Sequence, residues 1–169
     1  LVMEYVHGPS LRSLLRAVQP DATQAGALVE AILAGASAAH AVGLVHRDLK
    51  PGNIMLAEEG GVIVPKITDF GLACLDDLPL ERSSAVGTPA YMSPEQARGE
   101  ILSMGPESDV FSLGVMLWEI VVGENPFRGQ PVDEIIQQVS EGKIPPVRSR
   151  QPHVGKPLEA IINKAISFD

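Results

Sequence analysis

The nine residues Val45-His46-Arg47-Asp48-Leu49-Lys50-Pro51-Gly52-Asn53 constrain this chain more than any other stretch. They put an acid, a base and an amide on one short loop. Asp48 can accept a proton from a hydroxyl, Lys50 can hold a phosphate, and Asn53 offers a carbonyl oxygen to a hard cation. The loop falls between two patterned segments. Before it, an alanine-rich stretch from about Ala22 to Val42 reads as a helix that Asp21 caps and Gly43 closes in a left-handed conformation. After it, Ile54-Met55-Leu56 reads as a strand. Glu58-Glu59-Gly60-Gly61 forms a turn, and Val62 to Thr68 is the returning strand of a hairpin.

The rest of the chain fits one domain with a sizeable core, since 169 residues suffice for that. The formal net charge of −8 argues against a general nucleic-acid binder, which needs a basic stripe. The single cysteine, Cys74, cannot form an intrachain disulfide, and a reducing, cytoplasmic setting is expected. No apolar run is long enough to span a bilayer; the longest, Val110 to Gly123, is broken by Ser112, Gly114 and Glu119. Ser10 is placed to cap a short helix through Val18, with Leu11, Leu14, Leu15 and Val18 on one stripe. In the long helix, Leu28, Ile32 and Leu33 are expected to be buried. Asp69 to Glu95 lacks a regular pattern and reads as a long loop. Pro106 to Val122 reads as a buried helix and Val132 to Val139 as an amphipathic one. The proline-rich stretch Gly142 to Pro157 reads as irregular, and Leu158 to Ile166 as a last helix.

Three further motifs carry chemistry. In Thr68-Asp69-Phe70-Gly71, an aspartate at a strand end can aim its carboxylate at a metal. Magnesium takes few carboxylates plus phosphate oxygens, so Asp69 and Asn53 suffice as protein ligands. Orienting a nucleophile, neutralising phosphate charge and fixing a metal are together the needs of metal-assisted phosphoryl transfer. Next comes Gly87-Thr88-Pro89-Ala90-Tyr91-Met92-Ser93-Pro94-Glu95, followed by Ser108-Asp109-Val110-Phe111-Ser112-Leu113-Gly114. An aspartate at a buried helix start is costly unless it serves as a cap.

In this order the motifs resemble those of serine/threonine protein kinases over essentially the whole chain, and the wording looks most like the bacterial, eukaryotic-like branch. The resemblance implies a mainly α fold: the kinase C-terminal lobe, a helical bundle with a small β-hairpin by the catalytic loop. Residues 1–6 would be the end of the small lobe and hinge, and 7–169 the C-terminal lobe, with an activation segment at 69–95. Asp48, Lys50 and Asn53 would be catalytic. Asn53 and Asp69 would hold Mg2+. Met3, Glu4, Val6 and Met55 would surround the adenine of ATP, with Lys50 and Asp69 on its phosphates. Thr88 would bond near Asp48 and Lys50, and Arg47 would bind a phosphate on Ser83 or Ser84. His46, Phe70, Gly71, Glu95 and Asp109 would be structural: His46 stacks on Phe70 rather than acting as a base, and Asp109 holds the loop backbone. The substrates would be protein Ser/Thr hydroxyls.

The sequence contains no glycine-rich phosphate loop and no strand lysine of the kinase type. A longer parent with a small β-rich lobe upstream of Leu1 is therefore expected, and the resemblance allows that parent a membrane anchor outside this region. The 169 residues alone should bind nucleotide weakly and transfer little phosphate, and Glu95 is expected to lack its arginine partner. Two other readings compete. A pseudokinase or scaffold module would show damage at Asp48, Asn53 or Asp69. A small-molecule kinase would usually lack the segment Gly87 to Glu95.

Overall fold

The computed structural model describes residues 5–70 and 89–167. The expected strand at Leu1 to Val6 lies mostly outside them, and Tyr5 and Val6 are not in a strand. Ser10 caps helix α1 (Leu11–Ala17) through its side chain, which accepts from the Ser13 amide. Leu11 is fully buried, but Val18 ends the helix and is exposed, so the apolar stripe stops one residue short of its expected end. Asp21 and Gln24 form a reciprocal capping box at the start of α2 (Ala22–Ala41), and Gly43 follows it at φ +78°. Leu28 and Ile32 are buried as expected; Leu33 instead faces outward.

The hairpin pairs β1 (Ile54–Glu59) with β2 (Val62–Ile67), antiparallel, with Glu59 opposite Val62. Gly60 and Gly61 make the two-residue turn with φ of +60° and +82°. Two successive positive φ values suit the right-handed strand twist and are open to glycine at least cost. β1 is thus longer than its apolar core suggested, because its polar outer half pairs as well. The segment before α1 rests on β1: the Leu56 amide donates to Pro9 O at 2.9 Å, and Ser10 bridges Met55. At Gly8 (φ +146°) a Cβ would lie 2.0 Å from Leu56 O, so only glycine permits this approach.

Beyond Pro89 the chain forms a 3-10 turn, then α3 (Pro94–Ala97), α4 (Pro106–Val122), α5 (Val132–Ser140), α6 (Val147–Arg150) and α7 (Lys156–Ala165). Helix α4 is the centre of the core. Phe111, Val115, Met116, Trp118 and Ile120 are all buried, and α2, α3, α6 and α7 pack against it. The indole of Trp118 donates to Pro145 O at 3.0 Å, which satisfies its one polar atom. Gly123 ends α4 at φ +88°. Two expectations need correction. The proline-rich stretch contains the one-turn helix α6, begun by Pro146 at a position where its missing amide costs nothing. For the same reason α7 begins at Lys156, ahead of Leu158, with Pro157 in its first turn. The architecture is therefore mainly α, a helical bundle carrying one small hairpin.

Candidate active site

The loop from His46 to Asn53 lies between the end of α2, the hairpin and the start of α4. The carboxylate of Asp109, buried inside α4, fixes its backbone. Asp109 Oδ2 accepts from the His46 amide at 2.8 Å and Oδ1 from the Arg47 amide at 2.8 Å; Oδ2 also lies 2.8 Å from His40 Nε2 on α2. Burial of a carboxylate is tolerable only with such partners. Gly105 is the N-cap of α4. Asp109 lies one turn inside, and its carboxylate serves the loop rather than its own helix.

His46 is buried and both ring nitrogens are engaged. Nδ1 accepts from the Asp48 amide at 3.2 Å, which leaves the proton on Nε2 for donation to Thr68 O at 2.7 Å. Its ring lies 4.8 Å from that of Phe70. With both nitrogens occupied it cannot act as a general base, and it instead links the loop to the end of β2.

Asn53 donates through Nδ2 to Asp48 O at 2.9 Å and to Asp48 Oδ2 at 3.3 Å. Its backbone carbonyl accepts from the Thr68 amide at 2.9 Å and the Thr68 hydroxyl at 3.2 Å. Thr68 adjoins Asp69, so Asn53 and Asp69 are tied to one another through a single residue. Lys50 Nζ sits 2.5 Å from Asp48 Oδ2. Arg47 and Asp69 are the two non-glycine residues with positive φ among those described, at +66° and +63°. Each such conformation costs about 1 kcal/mol or more and persists only where surroundings impose it. Both flank the same site.

The donor set suits magnesium. Asn53 uses its amino group on Asp48, which leaves Oδ1, a hard oxygen; Asp69 adds carboxylate oxygens. Among the described residues no group of three or more His, Cys, Asp or Glu side chains is arranged to hold a metal ion. A cation held by Asn53 Oδ1 and Asp69 would have few protein ligands, the arrangement magnesium accepts when phosphate oxygens complete its shell.

Other expected residues divide into two groups. Val6 and Met55 are described and half-buried, with Met55 on β1 opposite Lys66. Met3, Glu4, Gly71, Cys74, Ser83, Ser84 and Thr88 lie outside the described residues. Glu95 accepts a hydrogen bond from the Ser108 hydroxyl.

Several contributing residues escaped the sequence reading. His40 supports Asp109 from α2, although 69 positions separate them. Gln96 reaches Arg47 O with Nε2 at 2.6 Å; the spacing Ser93-x-x-Gln96 is a capping-box signature that could have drawn attention to it. The buried Tyr91 hydroxyl donates to Glu119. Burial, with the Glu119 charge beside it, pushes the Tyr91 phenol well above its ordinary range. Tyr91 and Glu119 wall a cleft between α1 and the turn after α4, which also includes Arg12 and Asn125. No helix among the described residues is long and apolar enough to cross a membrane.

The profile of the protein kinase domain matches residues 1–168. The chain is 45% identical over 141 residues to serine/threonine-protein kinase PkaA of Streptomyces coelicolor, covering 82% of this chain and 26% of that protein. It is 39% identical to the probable serine/threonine-protein kinase PknB of Bifidobacterium longum, covering 100% of this chain and 24% of that protein. It is 40% identical to serine/threonine-protein kinase PknB of Mycobacterium leprae, covering 99% of this chain and 27% of that protein. The chain thus spans about a quarter of the length of these curated relatives. With the hairpin, the loop and the Asp109 tether in place, this match leaves one assignment: the chain belongs to the protein kinase domain family.

Proposed function

We propose that the protein transfers the γ-phosphate of ATP to serine and threonine hydroxyls of other proteins. The observation that carries this reading is the joining of Asp48, Lys50 and Asn53 on one tethered loop. Asp48 orients the acceptor hydroxyl and receives its proton. Lys50, now on Asp48, turns to the phosphoryl group when substrate arrives and so neutralises its charge. Asn53 and Asp69 hold magnesium, which when bound screens the phosphate charge. Little covalent chemistry falls to the chain; positioning and charge compensation dominate.

Residues 1–6 form the end of the small lobe and the hinge, and 7–169 the C-terminal lobe, with the activation segment at 69–95. Met3, Glu4, Val6 and Met55 line the adenine site. Thr88 braces Asp48 and Lys50, and Arg47 binds a phosphate on Ser83 or Ser84. The single cysteine and the use of ATP go with a cytoplasmic location for this part of the protein. A binding-only module would have no need of Asp48, Asn53 and Asp69 together, and all three are intact.

The test is phosphotransfer to a protein substrate by the full-length protein and its Asp48→Asn variant. Loss of transfer with ATP binding kept supports the proposal. Equal turnover in both proteins would remove it.

A further inference from the structure

We propose that Gln96 is a positioning residue for the Asp48 loop, an inference that rests on the phosphotransfer reading. The Gln96 amide has two distinct partners. Oε1 accepts from the Ser93 amide at 2.9 Å, which caps α3. Nε2 donates to the Arg47 carbonyl at 2.6 Å, across 49 positions of sequence. A cap needs only the first of these bonds.

The Arg47 carbonyl belongs to the peptide unit that joins Arg47 to Asp48. The other end of that unit, the Asp48 amide, donates to His46 Nδ1 at 3.2 Å. A planar peptide gripped at both its oxygen and its hydrogen cannot rotate. Arg47 stands at φ +66° and its own amide is held by Asp109, so the left-handed turn that presents Asp48 is fixed from three sides. Two of those grips come from His46 itself and from the core helix α4. Gln96 alone among the three stands on the helix that directly follows Pro89 to Ser93. It therefore makes the aim of Asp48 depend on the seating of α3. Gln96 is half-buried, which limits competition from water for the Arg47 carbonyl.

Gln96→Glu separates the two bonds. The introduced carboxylate still accepts from the Ser93 amide, but when ionised it has no hydrogen to donate and faces the Arg47 oxygen. In the full-length protein, kcat at about pH 8 should fall about ten-fold, with the KM for ATP and the thermal midpoint close to wild type. As the pH is lowered toward the carboxyl range, the protonated acid at position 96 can donate again. The ratio of variant to wild-type kcat should therefore rise. A ratio near one at the higher pH overturns the proposal, as does a low ratio that stays flat as the pH falls. Amide hydrogen exchange distinguishes this from failure of the phosphotransfer reading. If wild type transfers no phosphate, the variant should still exchange its Asp48 amide about ten-fold faster than wild type, with the α4 amides unchanged. Equal Asp48 exchange in the two proteins overturns the tether.

Discussion

The carboxylate of Asp109 holds the backbone amide of Arg47 at 2.8 Å, although 62 residues separate them. The same carboxylate takes the neighbouring His46 amide, so α4 and the loop before Asp48 act as one body. Asp109→Ala would leave two amides without their acceptor in a site where the carboxylate is almost fully buried. At about 1–3 kcal/mol for each orphaned donor, unfolding free energy should fall by about 3 kcal/mol. Asp109→Asn keeps one acceptor oxygen and should lose less. Denaturant titration of the three proteins orders them; equal midpoints would show that the tether contributes nothing.

Asp69 is held in the left-handed region next to Thr68, whose amide and hydroxyl both reach Asn53 O. Under the proposed mechanism, Asp69→Ala in the full-length enzyme should cost several orders of magnitude in turnover. Raising magnesium should not restore it, since Asn53 alone does not complete the site. Steady-state kinetics over a magnesium series are the measurement. Near-normal turnover would reject the metal assignment.

Much of this arrangement was legible before the fold, and the rest had a physical reason to be hidden. Helix α2 announced itself through Asp21 and Gly43 because caps are local; the same holds for Ser10. The hairpin was legible from two apolar runs around Gly60-Gly61. Local signals failed where neighbours decide. Leu33 looks like its buried neighbours in sequence but lies on the outer side of α2. Short α6 is set by Pro146 within a stretch whose prolines argued for irregularity. At the site, Asp48, Asn53 and Asp69 stand out because their residue types and spacing are chemical requirements. The roles of His40, Gln96 and Glu119 stayed hidden, because each depends on a partner brought from a distant part of the chain.

Gly114 on α4 faces the end of α7. A Cβ there would lie 2.7 Å from Ile166 Cγ2 and 2.8 Å from Ala165 Cβ. The two helices meet closely because this position carries no side chain. Gly114→Val should destabilise by about 1–3 kcal/mol through overpacking, despite the gain in apolar volume. Thermal unfolding checks this. A midpoint at or above wild type would mean that α7 can shift freely away.

Tyr91 makes the stability of the fold sensitive to alkaline pH. Its hydroxyl donates to Glu119, its backbone carbonyl accepts from the Ser112 hydroxyl at 2.7 Å, and the phenol is buried. Desolvation, followed by the negative charge of Glu119, raises its pKa above the unfolded value of 10.0. The sign follows from proton counting. Above about pH 10 the unfolded chain releases the phenolic proton while the folded chain keeps it, so the folded state binds more protons and stability falls with rising pH. The contribution is fully present below about pH 10 and is lost only at higher pH. The slope approaches about 1.4 kcal/mol per pH unit for one proton. Tyr91→Phe cannot ionise, so its stability should decline less steeply over that window, although it is less stable at neutral pH through loss of the Glu119 bond. Urea titrations of both proteins between about pH 8 and pH 11 measure the two slopes. Parallel slopes would show that Tyr91 ionises as readily when folded as when unfolded.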